Sequence, residues 1–268
     1  MRQIALIAAT LFWANVAAAQ AQLAVAMDRL GIADMIAVMQ LEGASYADDL
    51  NNDLLGGQGG ALWHSQIRSI YNADRMSEVV RAALATLPDD DLRRINVFYG
   101  SDLGTQVIGL EIAARKAMLD KDLETLARDA YARAEAENPA SVLPLQQLEQ
   151  AGDMIERNVS GALTANYRFY RAMVDGGAFE MSEDDILRET WAQEDDIRAD
   201  TASWLMGYLM LSYQPLGAAD FDAYLAFTRS PEGRALNAAI FDGFNAMYGD
   251  ISYALGRAVA LNMIGSDL

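Results

Sequence analysis

The chain has 268 residues, 52% of them apolar, with 38 acidic against 20 basic side chains and a formal net charge of −18. This length and apolar content suffice for one large domain or two ordinary ones and exclude wholesale disorder. The charge excludes nucleic acid and anionic lipid as general partners, and the lack of cysteine removes thiol catalysis, thiolate metal sites, disulfides and N-terminal lipidation.

Residues 1–19, MRQIALIAATLFWANVAAA, have the composition of a cleaved signal peptide. Arg2 gives a positive start, Ile4 to Val16 an apolar run, and Ala17-Ala18-Ala19 a small-x-small cleavage pattern ahead of Gln20. The apolar run is short for a membrane span. No later segment is apolar for long enough, so the expectation is a periplasmic or secreted protein with no stable span after signal removal.

Beyond the signal, good helix formers dominate and only 5 prolines interrupt them. Apolar residues at helical spacing from Leu23 to Met39 predict a helix over residues 23–41, with Gly31 as its weak point, and a second short helix over 45–55, ended by Gly56 to Gly60. Residues 61–87 predict one or two helices closed by Pro88. The acids Asp89-Asp90-Asp91 suit the start of the next helix, which ends near Gly100. Asn138-Pro139 is a joint, because proline disfavours helix at the residue before it. A helix is expected from Ser141 to about Val174. Another enters through Ser182-Glu183-Asp184-Asp185 and runs through Trp191 and Trp204 to Tyr213. No stretch alternates with period two, so the fold class expected is all-α with no β-sheet.

Two segments, LRRINVFYGSDLGTQV (residues 92–107) and FDAYLAFTRSPEGRAL (residues 221–236), align without a gap. Phe98 falls on Phe227, Ser101 on Ser230, Gly104 on Gly233 and, further on, Met118 on Met247. The mature chain therefore reads as a helical bundle built from two tandem, diverged repeats, residues 20–138 and 139–268, packed separately or as one domain. The shared motif comprises Phe98, Tyr99, Ser101 and Gly104 in one copy and Phe227, Ser230, Pro231 and Gly233 in the other. It has the chemistry of a helix–corner–helix junction. Ser230 is placed to cap a helix N-terminus, Pro231 fits its first position, and Gly233 implies that another backbone or a ring comes close. A ligand-facing role for Tyr99, Arg94 and Arg229 is the alternative.

The run Phe98-Tyr99-x-Ser101-x-x-Gly104, preceded by Asp89-Asp90-Asp91-Leu92, resembles the signature of a bacterial family of exported helical domains catalogued as domain of unknown function 2059. Asp102 departs from the family's proline in the first copy, and Thr228 from its second aromatic residue in the other. The resemblance implies a helical periplasmic module in two copies, and it brings no catalytic residues.

Candidate chemistry is sparse. His64 is the only histidine, and no nucleophile motif accompanies it. The acidic groups Asp48-Asp49, Asp89 to Asp91, Glu183 to Asp185 and Glu194 to Asp196 fit helix starts and solvated faces. Asp49-x-Asn51-x-Asp53 opens like a calcium loop but has Leu54 where glycine is needed. No catalytic residue, metal site or cofactor is assigned. The 13 methionines and the aromatic-rich second half fit helix packing or an adaptable apolar groove. The expected function is therefore a non-catalytic envelope module binding a protein or an apolar ligand. The alternative is a periplasmic hydrolase using paired carboxylates.

Overall fold

The computed structural model describes residues 19–266, and every regular element among them is an α-helix. Residues 1–18 of the proposed signal peptide (1–19) lie outside the described residues. None of the described helices is long and apolar enough to cross a membrane.

Helix α1 covers residues 19–29. It is followed by α2 (Ile32–Leu55), α3 (Gly60–Ile70), α4 (Ala73–Leu84), α5 (Asp89–Tyr99), α6 (Asp102–Ala117) and α7 (Lys121–Glu137). The rest of the chain forms α8 (Pro139–Gly152), α9 (Met154–Asp175), α10 (Glu183–Ala192), α11 (Glu194–Tyr213), α12 (Ala218–Thr228) and α13 (Pro231–Ser266).

Most boundaries follow from local chemistry. The Ser182 hydroxyl accepts from the Asp185 N–H at the start of α10, Asn72 does the same for Arg75 at α4, and Asp120 caps α7. The three acids Asp89, Asp90 and Asp91 occupy the first turn of α5, where the helix dipole favours them. Asn138, extended at φ −149°, separates α7 from α8 ahead of Pro139.

Three boundaries differ from the sequence expectation. Gly31 is left-handed at φ 60°, so the helix expected over 23–41 breaks there, while α2 runs unbroken through Ser45 to Leu55. The helix expected from Ser141 to Val174 divides at Asp153, the one non-glycine residue with positive φ (51°) among those described. Aspartate tolerates this conformation better than most residues. The helix expected from Ser182 to Tyr213 divides at Gln193, whose side-chain amide accepts from Asn166 at 3.0 Å and donates to Tyr170 at 3.2 Å. Both partners lie on α9, so a tertiary contact holds that break.

Two hydrophobic cores organise the helices. The first gathers Leu23 and Ala26 of α1, Ile36 and Met39 of α2, Trp63 of α3, Val80 and Leu84 of α4, and Leu92 and Ile95 of α5 around Met247, Leu255 and Val259 of α13. The second gathers Val107 of α6, Tyr131 of α7, Val142 and Leu148 of α8, Leu205 and Leu209 of α11, and Phe221 and Leu225 of α12. These cores do not divide the chain at the Asn138-Pro139 joint. Helices α6 and α7 leave the first half to pack with the second, and α13 returns to pack with the first.

Close backbone approaches hold this exchange together. A Cβ on Gly207 of α11 would lie 2.9 Å from the backbone nitrogen of Arg128 on α7. One on Gly243 of α13 would lie 3.2 Å from the Cα of Val80 on α4. Each glycine lets a helix of the opposite half come close. At the other end of the first core, the buried Asn96 on α5 donates at 2.9 Å to both the backbone and side-chain oxygens of Gln22, tying α1 to the bundle.

Candidate functional site: a cavity at the crossing of two cores

Each motif copy is the place where the chain passes from one core to the other. Helix α5 belongs to the first core and α6 to the second. Helix α12 belongs to the second core and α13 to the first. The two corners thus carry the chain across the same seam in opposite directions.

Their local geometry matches. The Gly104 N–H donates to the Ser101 hydroxyl at 3.1 Å, and the Gly233 N–H to the Ser230 hydroxyl at 3.0 Å. A Cβ on Gly104 would sit 2.2 Å from the Phe98 carbonyl oxygen, and one on Gly233 would sit 2.0 Å from that of Phe227. Both glycines therefore admit the backbone of the preceding helix. Pro231 opens α13 as Asp102 opens α6. The rings of Phe98 and Phe227 stack on one another, 3.8 Å between centroids and 7° from parallel, and Tyr99 meets Phe227 edge-on at 5.5 Å. All eight motif residues thus lie in two adjoining corners.

Beside this stack lies a cavity of about 280 Å³. Its wall is mostly apolar and aromatic, with Leu30 and Met39 from the first half and Trp204, Leu209 and Phe241 from the second. Tyr99, Phe227 and Gly233 of the motif line it, whereas the other alternative contacts do not converge there. Arg94 is exposed and reaches Asp91 at 3.5 Å, and Arg229 is exposed and donates to Gln147 at 3.3 Å.

Two residues of α6 supply the charged groups of this lining, Glu111 and Arg115. One oxygen of the Glu111 carboxyl accepts from the Tyr224 hydroxyl at 3.0 Å and from the Tyr213 hydroxyl, and those two hydroxyls are 3.3 Å apart. The Tyr208 hydroxyl donates to the Glu111 backbone carbonyl at 3.2 Å. The second carboxyl oxygen has no hydrogen-bond partner among the described residues. Burial pushes the Glu111 carboxyl above the ordinary glutamate range, and the two phenol donors only partly oppose this. Burial, reinforced by Glu111, likewise holds the Tyr213 and Tyr224 hydroxyls far above the usual tyrosine range, so they remain donors.

Arg115 is differently placed. Its guanidinium donates two bonds of 2.8 Å to the two carboxyl oxygens of Glu42 on α2 and one of 3.2 Å to the Tyr248 hydroxyl, and it lies 5.6 Å from the centre of the Trp204 ring. This planar fork fixes the arginine and neutralises its charge. Glu111 has no such counter-charge.

The remaining sequence candidates lie elsewhere. His64 is exposed on α3, its ring Nδ1 2.6 Å from the Gly60 carbonyl. Asp49, Asn51 and Asp53 are helical residues of α2, and the Asn51 side chain accepts from the Gly59 N–H at 2.9 Å. The groups at Asp89, Glu183 and Glu194 occupy first turns of helices. No group of three or more His, Cys, Asp or Glu side chains that could hold a metal ion occurs among the described residues.

Sequence reasoning passed over Glu111 and Arg115. A signal for them exists: the gapless alignment, carried on past Val107 and Leu236, sets Glu111 against Ile240 and Arg115 against Phe244. Charges standing where the matched segment is apolar set these two positions apart. Both Ile240 and Phe244 also line the cavity, so the two helices leaving the corners contribute equivalent positions to one site.

Comparison with protein-family models, curated proteins and solved structures finds no match to this chain.

Proposed function

We propose that this protein is an exported helical module that holds an apolar ligand in the cavity between its two cores. The observation that carries the reading is the cavity itself, about 280 Å³ of mainly aliphatic and aromatic wall with one charge-paired arginine and one buried carboxyl. Ligand sites of small molecules have this composition, a largely apolar surface with a few fixed polar groups. A tandem duplication accounts for the matched corners, and the signal-like N-terminus accounts for an envelope location. Paired-carboxylate hydrolysis has less support, because Glu111 is the single carboxyl in the lining and two are required.

The test is titration with N-phenyl-1-naphthylamine, a probe that fluoresces in apolar surroundings. Saturable enhancement is expected for the wild-type protein. Ile240→Trp, which fills the cavity from α13, should abolish it while the helical circular dichroism is kept. Unchanged binding in a folded Ile240→Trp protein would remove this cavity as the ligand site.

A further inference from the structure

The cavity carries an imbalance that its apolar wall does not explain. Arg115 is satisfied by Glu42, so the pair contributes no net charge. Glu111 forms no ion pair and one of its carboxyl oxygens takes no hydrogen bond, while the hydroxyls of Tyr213 and Tyr224 meet the other and that of Tyr208 meets its backbone carbonyl. An ionisable group in such a place costs stability unless it is paired, and a bound cation would supply the pair. Aromatic faces are electron-rich and attract ammonium groups, most strongly where water is excluded. A carboxyl set among aromatic rings is thus the donor set for an organic cation. The formal charge of −18 over the chain favours the approach of cations and opposes that of anions.

We propose that the cavity binds an organic ammonium compound with an apolar body, its cationic head seated at Glu111 against the tyrosine rings and its body along the aliphatic wall. This rests on the apolar-ligand reading above and specifies its polar end. Burial shifts the Glu111 carboxyl upward and the two phenol donors oppose that shift. A fixed-charge ammonium seated there favours the carboxylate, and any proton that Glu111 carries leaves to solvent as the ion pair forms. Other groups facing the site do not change charge. Arg115 stays charged against Glu42, and the hydroxyls of Tyr99, Tyr208, Tyr213, Tyr224 and Tyr248 are all shifted upward by burial, away from neutral pH.

The experiment is isothermal titration calorimetry of octyltrimethylammonium, octanol and octanoate at neutral pH, below their micelle concentrations. Octyltrimethylammonium should bind at least roughly tenfold more tightly than octanol, a difference of about 1.4 kcal/mol. In Glu111→Gln that preference should vanish, while octanol still binds and shows that the cavity is intact. Equal binding of octanol and octyltrimethylammonium would overturn the ammonium assignment and leave the apolar-ligand reading standing. Preference for octanoate would do the same. If none of the three binds, the apolar-ligand reading falls and the ammonium assignment falls with it.

Discussion

The two helices that leave the corners, α6 and α13, begin alike and then diverge. Both start from a serine cap, admit a backbone carbonyl over a glycine, and send their next turns along the same cavity. Where α13 presents Ile240 and Phe244, α6 presents Glu111 and Arg115. The likeness lies in backbone and caps, which set where the chain turns. The difference lies in side chains facing the cavity, which set what it can hold. Two like frames thus line one cavity, and one of them lines it with charged side chains.

The largest effect is expected at the two corner glycines. Gly104→Ala and Gly233→Ala each push a Cβ to about 2 Å from a backbone oxygen, a contact that only backbone movement relieves. Each should cost about 3 kcal/mol or more by urea unfolding. If one variant is tolerated and the other is not, the corners are not equivalent.

Next in size is the ring stack. Phe98→Ala and Phe227→Ala should each cost about 2–3 kcal/mol, less than a fully buried phenylalanine because both rings are only partly buried. The double variant should cost about 1 kcal/mol less than the sum of the singles, since the 3.8 Å stack is lost once in either. Strict additivity would show that the corners are energetically separate.

The polar difference between α6 and α13 has a pH signature. Glu111 has a raised folded-state pKa, so the native protein binds the proton more tightly than the unfolded chain. The resulting stability is complete below the ordinary glutamate pKa and is lost as pH rises through the folded one. Glu111→Gln lacks this loss. The difference in Tm, variant minus wild type, should therefore rise with pH from the acid side upward. A flat difference would mean that Glu111 is ionised in the folded protein.

The smallest effect concerns the residues that open the two helices. Asp102→Pro gives the first corner the proline of the second, and Ser101 at φ −80°, ψ 165° already has the extended shape that precedes proline. The entropy gained by proline and the dipole interaction lost with aspartate are of similar size, so the change should stay within about 0.5 kcal/mol. A loss above about 1 kcal/mol would show that the first corner needs Asp102 itself.

What could be read in the sequence was local. The serine caps at Ser101, Ser182 and Ser230, the acidic first turn at Asp89 and the joint before Pro139 depend on atoms within one helical turn, and each is found where the sequence places it. The close approach over Gly233 was legible for the same reason, since a side chain is missing inside a capped turn. The absence of alternating patterns specified an all-α fold, and all the regular structure described is helical.

The pairing of helices is not written in any one helix. An amphipathic helix records that it has a buried face, and several partners satisfy that face equally well. Nothing within α6 or α13 says that each packs with the opposite half of the chain. That exchange rests on close backbone contacts between residues far apart in sequence, such as Gly207 with Arg128 and Gly243 with Val80. The cavity and its buried carboxyl exist because of the exchange. Glu111 in isolation is an ordinary helical acid, and packing against Tyr213 and Tyr224 from two other helices removes its water and makes it a site.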